Sequence, residues 1–190
     1  MTELVSPQLW DEWKRITRFL GSARIAYARE AQVWSSLEIA NPDEVVLTSP
    51  AGKGNYRVLI AEHLDAVQDE TTLHAAVLLQ TYTITEWAAL EVLGLDSRKV
   101  SGIEDWGDRL LTRNGKSWTD TRGGQRGLVQ TAVTRNAFAH GSRSLDAQAA
   151  RRLAAAGVTG RSAGDPVTLT IRQVHEHRSR LKSLLRAGGL

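Results

Sequence analysis

The sequence predicts an all-α fold: a single-domain bundle of about four to six helices with a small β-hairpin inserted after the first long helix. Three observations carry this. Apolar residues recur at three- and four-residue spacing through the opening segment, an Ala- and Leu-rich run extends from Asp69 to Leu93, and capping residues and glycine stops punctuate the rest. A length of 190 residues suits one domain, residues 1–190, able to bury a full core without a covalent staple.

Ser6-Pro7 reads as a helix start, a capping residue before a proline that has no need of its own N–H, and helix formers continue to about Ala40. Trp13, Ile16, Leu20, Ala23, Tyr27, Trp34 and Leu37 form one apolar stripe, broken by Glu30, that belongs in the core. Asn41-Pro42 ends this helix. Glu44–Thr48 and Tyr56–Ile60 then read as two strands around the turn Ser49–Asn55, a hairpin over residues 44–60. Gly52-Lys53-Gly54 in that turn lacks the spacer and the following Ser or Thr of a phosphate loop. The run Asp69–Leu93 is apolar on nearly every side and predicts a central helix stopped by Gly94. Ser101 and Glu104 make a capping box for a short helix carrying Trp106, Leu110 and Leu111, which stops at Asn114-Gly115. Further helices are expected from Gly124 to His140, from Asp146 to Ala156, and from a Thr170/Gln173 cap to Leu185.

The chain contains no cysteine, so disulfides and thiolate metal sites are excluded, and the usage fits a reducing, cytoplasmic setting. No stretch reaches the roughly 20 apolar residues of a membrane span, and the first eight residues carry no export signal, so no membrane partner is expected. The net charge of +3 hides an asymmetry: residues 1–107 hold 9 Lys/Arg against 16 Asp/Glu, whereas residues 108–190 hold 15 against 5. A basic second half points to a phosphate-bearing partner, with Arg113, Lys116, Arg122, Arg126 and Arg143 as its nucleic-acid-binding candidates. Neutralisation of the basic half by the acidic half is the competing reading. Only Trp118 and Phe138 supply aromatic rings in residues 108–190, so phosphate contact would outweigh base stacking.

The chemically specific segment is Thr134-Arg135-Asn136-Ala137-Phe138-Ala139-His140-Gly141, at the end of a predicted helix. Spacing alone is weak. Nineteen Arg and five His in 190 residues make about one chance pair at this separation in every two such chains. Arg172 and His177 form such a pair and read as solvated surface. At Arg135 the context is different: Asn136 follows at once, Leu128, Val129, Ala132 and Val133 make the preceding turns apolar, and Gly141 closes the helix.

An Arg-Asn-x-x-x-His run at a helix end resembles the signature of the HEPN superfamily, the higher eukaryotes and prokaryotes nucleotide-binding domains. The resemblance is sharp over Arg135–Gly141 and loose over the order of helices. It implies a HEPN-like helical bundle, often a homodimer, acting as a metal-independent endoribonuclease in toxin–antitoxin or antiviral defence, with an antitoxin or regulatory protein as a partner. Glu86, on the central helix near the place where similar helices carry an acid, is a candidate to position the arginine; a glutamate escaping to the bundle edge is the other reading. Some HEPN toxins carry a modifiable Tyr two residues after the His; here Ser142 stands there.

The residue types suit RNA cleavage. Attack of a 2′-hydroxyl on the adjacent phosphate requires a base, an acid for the departing 5′-oxygen, and stabilisation of the added charge. Histidine serves either proton transfer near neutral pH. Arg135 can fork onto two phosphate oxygens, and Asn136 can donate to a third or orient the imidazole. The scheme uses no metal or cofactor. On an ideal helix residues five apart lie about 140° from each other, so Arg135 and His140 face different ways, whereas Asn136 and His140 share a face. A composite site then calls for a distorted helix end or a second copy of the helix in a symmetric dimer. His175-Glu176-His177 is not expected to hold a metal, since residues two apart on a helix point to different sides. The alternative functions are a non-catalytic HEPN-like module that binds a nucleotide or protein, and a helical nucleic-acid-binding regulator.

Overall fold

The computed structural model describes residues 2–37, 39, 41, 43–49 and 54–190. Among them the chain forms seven α-helices and one two-stranded hairpin: α1 (Thr2–Ser35), β1 (Val46–Thr48), β2 (Arg57–Leu59), α2 (Ile60–Gln68), α3 (Thr71–Leu93), α4 (Ile103–Arg113), α5 (Gly124–Ala139), α6 (Ala147–Ala155) and α7 (Ile171–Ala187). The all-α fold with a small hairpin after the first long helix is the one expected, although the helices outnumber the four to six anticipated. The strands are antiparallel, with Leu47 opposite Val58. Residues 50–53 of the turn, including Gly52 and Lys53, lie outside the described residues, as do Ala40 and Pro42.

Central helix α3 sets the arrangement. Its apolar residues point to every side, and α1, α4, α5 and α7 pack around it. One core cluster joins Leu9 and Trp13 of α1, Ala88 and Ala89 of α3, Trp106 and Leu110 of α4, Leu128 of α5 and Leu181 of α7. A second joins Ile16 and Leu20 to Leu78, Leu169 and Val174. A smaller third lies between α5 and the segment around α6, from Val129 and Val133 to Leu145, Leu153 and Val167.

Several local expectations change. Helix α1 begins at Thr2, before the Ser6-Pro7 signal, so Pro7 sits inside it. As the sixth residue Pro7 lies just beyond the leading N–H groups that have no helical partner, so it forfeits one backbone hydrogen bond in the second turn. The apolar stripe is buried at Trp13, Ile16 and Leu20 but only half-buried at Ala23, Tyr27 and Trp34, and Leu37 is exposed, because the distal half of α1 projects past the bundle. The run from Asp69 is preceded by a separate helix, α2, which takes Ile60 from the expected second strand. Ser101 does not cap α4: Gly102 holds the N-cap position, and the Glu104 carboxylate turns to Arg152 on α6. The Thr170/Gln173 capping box forms as expected, with the Gln173 side chain accepting from the Thr170 N–H at 2.7 Å.

Burial ranks the tryptophans. Trp106 is fully buried, so Trp106→Ala should cost roughly 3 to 5 kcal/mol, and Trp34→Ala less than half of that. Urea denaturation of the two variants measures the difference.

Candidate functional site at the end of helix α5

Helix α5 ends where its sequence says it should. His140 is the C-cap, its N–H bonds to the Asn136 carbonyl at 3.0 Å, and Gly141 at φ 70° turns the chain in the left-handed region that glycine tolerates. The next residues cross back to pair with a distant segment. The Leu145 N–H donates to the Asp165 carbonyl and the Val167 N–H to the Arg143 carbonyl, both at 2.9 Å, which brings α6 against α5. Asp146 caps α6, its carboxylate accepting from the Ala149 N–H at 2.6 Å.

Between α5 and α6 lies a groove of about 290 Å³ lined by Asn136, His140, Ser142, Asp146, Gln148 and Arg152 among others. His140 stands exposed on it. Arg135 does not line this groove. Its guanidinium carbon lies 5.0 Å from the centre of the Tyr82 ring on α3, and Tyr82 in turn meets Trp106 edge-on at 6.3 Å. Asn136 connects the two regions: its Oδ1 accepts from Arg135 Nη1 at 3.0 Å, which leaves its amide N–H groups for the groove. Arg135 Nε is buried and without a hydrogen-bond partner among the described residues. Burial raises the pKa of the Tyr82 hydroxyl above its ordinary value, and the charge of Glu86 adds to this. The ring is therefore a neutral cation–π partner for Arg135.

Glu86 is half-buried and forms no ion pair among the described residues; the contacts that hold Arg135 are the Tyr82 ring and Asn136 Oδ1. Arg152 is a site residue that sequence reasoning missed. Its Nε and Nη2 fork onto the two carboxylate oxygens of Glu104. Burial pushes the Glu104 pKa up, but the bonds from Arg152 outweigh it and hold the carboxyl below its usual range. No local pattern marks this pair, because 48 residues separate its members.

The five basic candidates are scattered. Lys116 and Arg122 lie at the N-terminal side of α5 and Arg126 in its first turn, and the 16 residues of α5 put about 24 Å between its ends. Arg113 donates to the Val92 carbonyl, and Arg122 pairs with Glu176 at 2.8 Å. Lys116 and Arg126 have no ion-pair partner among the described residues; Arg143 alone of the five lies near His140 in the chain, three residues after it, in a left-handed conformation at φ 48°.

A second, larger cavity of about 410 Å³ lies on the other side of Val133 and Leu145, bounded by α5, α7 and the segment after α6. His177 lines it, and the expectation that Arg172 and His177 form a solvated pair fails here: His177 is only 7% exposed. Thr131 Oγ1 donates to the Gly127 carbonyl at 3.0 Å, so it accepts from His177 Nδ1 at 2.9 Å and leaves Nε2 as an acceptor. His175 is exposed on α7, so the two histidines do face different ways.

No family model, curated protein or solved structure matches the chain. Among the described residues no helix is long and apolar enough to cross a membrane, and no cluster of three or more His, Asp or Glu side chains is placed to hold a metal ion.

Burial, with the nearby Arg180 charge, lowers the His177 pKa to about 4. The unfolded chain, with an ordinary imidazole, then binds the proton more tightly than the folded one. The His177 contribution to stability is intact above about pH 6.5 and is lost as pH falls toward 4. Wild type should lose on the order of 2–3 kcal/mol more than His177→Asn between pH 7 and pH 4. Denaturation curves at the two pH values measure it.

Proposed function

We propose that the chain is a HEPN-like endoribonuclease that cleaves RNA by attack of a 2′-hydroxyl on the neighbouring phosphate, working as a homodimer. The observation that carries the reading is the end of α5: His140 stands exposed on an open groove with Asn136 beside it, and Asn136 is tied to Arg135. In the reaction the 2′-oxygen bonds to phosphorus as the bond to the 5′-oxygen breaks. One imidazole takes the 2′-hydroxyl proton and one gives a proton to the 5′-oxygen, leaving a cyclic phosphate and a free 5′-hydroxyl. Arg135 and Asn136 stabilise the charge on the phosphoryl oxygens.

Within one chain Arg135 lies against Tyr82 while His140 lines the α5–α6 groove. A second copy meeting this helix end across a two-fold axis supplies a second imidazole, one for each proton transfer, and a second guanidinium. A role in toxin–antitoxin or antiviral defence, with a regulatory protein as partner, follows from the family resemblance. A second reading, a non-catalytic module that binds a small molecule, is favoured by the cavity at His177, where an imidazole acceptor faces a space of ligand size.

RNA cleavage in the presence of EDTA tests the choice. Wild type should cut, His140→Ala should lose at least about 100-fold in rate, and Arg135→Ala a comparable factor. Cleavage by His140→Ala at the wild-type rate would overturn the nuclease reading. A protein that stays monomeric by sedimentation at working concentration and still cuts at full rate would overturn the dimeric site.

A further inference from the structure

The positive charge of the second half gathers on a face of α7 that no local motif marks. Arg172, His175, Lys182 and Arg186 follow one another at three- and four-residue spacing, with Ser179 completing the row, so they share one side of the helix. Two surface grooves flank the row and meet at Ser179 and Lys182. Four Lys or Arg residues line each groove, Lys182 being common to both, and the one acid lining either is Asp120. Arg18 on α1 and Lys116 after α4 stand at the two edges.

This charge is largely unspent. Of the cations lining the two grooves, Lys14 pairs with Asp11 and Arg122 with Glu176, while the two ion pairs among the described residues that join the acidic half to the basic half, Arg109 with Asp105 and Arg152 with Glu104, lie off this face. Arg178 is an anchor rather than a contact point: it is buried, donates to Thr17 Oγ1 at 2.7 Å and lies over the Trp13 ring. Lys182 rests over Trp10 at 5.7 Å, so its stem is held while its ammonium stays at the surface. Arg18, Lys116, Arg172 and Arg186 are exposed and form no ion pair among the described residues.

We propose that this face of α7, with Arg18 and Lys116 at its edges, is the track for the phosphodiester backbone of single-stranded RNA; for the identity of the strand this rests on the nuclease reading above. A row from Arg172 to Arg186 is about 21 Å long, enough for several consecutive phosphates. Helix α7 runs antiparallel to α5, since Gly127 meets Arg180, Thr131 meets His177 and Phe138 packs in the cluster of Leu169 and Ile171. The row therefore leads from the Lys116 end of the bundle to the end where α5 stops at His140. A single strand is the form that fits, because in-line attack needs the 2′-oxygen, phosphorus and 5′-oxygen to align, which the regular A-form duplex prevents.

The test uses the full chain carrying His140→Ala, so that binding is read without cleavage, with a fluorescent single-stranded RNA oligonucleotide and anisotropy over a salt series. Adding Lys182→Gln and Arg186→Gln should weaken binding by about 10-fold or more and lower the slope of log K against log salt by about two. Adding Arg29→Gln and Arg151→Gln, an equal loss of charge at exposed positions elsewhere, should change affinity by less than about 2-fold. Equal loss in both sets, or no loss in the first, overturns the track. Circular dichroism melts confirm that each variant is folded, and single Arg186→Gln, at an exposed position, replaces the double variant if that one melts early. If wild type fails to cut RNA while the α7 variants still bind it more weakly, the nuclease reading falls and the track stands; if wild type cuts and the α7 variants bind as tightly as His140→Ala alone, the track alone falls.

Discussion

Everything in this fold depends on covering α3. A helix with Leu73, Val77, Leu78, Tyr82, Ala88 and Leu90 distributed round its circumference has no face it can leave in water, so neighbours must enclose it. Helices α1, α4, α5 and α7 do so. Of the polar residues at its buried positions, Thr85 is satisfied within the helix, its Oγ1 donating to the Thr81 carbonyl at 2.8 Å, and His74 Nδ1 donates to the distant Leu169 carbonyl at 2.9 Å, whereas Thr81 Oγ1 has no partner among the described residues. The same enclosure places Tyr82 between Trp106 and Arg135, so one buried residue links the core to the polar end of α5.

That link carries an energetic cost. Arg135 Nε and Trp106 Nε1, on either side of Tyr82, are both buried without a hydrogen-bond partner among the described residues. Unpaired buried donors are uncommon and tend to collect where a structure serves something other than its own stability. Arg135 is held by an aromatic face and an amide, and no carboxylate among the described residues forms an ion pair with it. Arg152 illustrates the contrast: with Nε and Nη2 committed to Glu104, it acts mainly as the strut that joins α4 to α6 behind His140.

What was legible in the sequence was what short-range periodicity and capping encode. The α7 cap at Thr170 and Gln173, the glycine stops after α3 and α5, and the all-round apolar character of α3 all follow from residues within a few positions of one another. The end of α5 was legible for the same reason, since Arg135, Asn136 and His140 occupy little more than one turn. Ser101 misled because Gly102, with its left-handed freedom, takes the N-cap position and frees Glu104 for a partner 48 residues away. Helix α2 was hidden because Tyr56–Ile60 has a strand-like composition at the point where the hairpin runs directly into the helix. His177 looked solvated among its charged neighbours, yet it turns inward to Thr131, a contact that depends on how α5 and α7 cross. The α7 basic row is periodic, but its packing against α3 and α5 is what decides which side stays outside.

The excursion that carries α6 is closed at its base, where residues 143–145 pair with 164–167, and it has its own small apolar cluster against α5. A segment tied off in this way, and sharing few residues with the main core, is built like a cooperative unit that can open while the rest stays folded. One wall of the His140 groove belongs to that unit and the other to the bundle. Opening of that unit would therefore dismantle the groove without unfolding the bundle, and amide exchange within α6 is the clock that would report it.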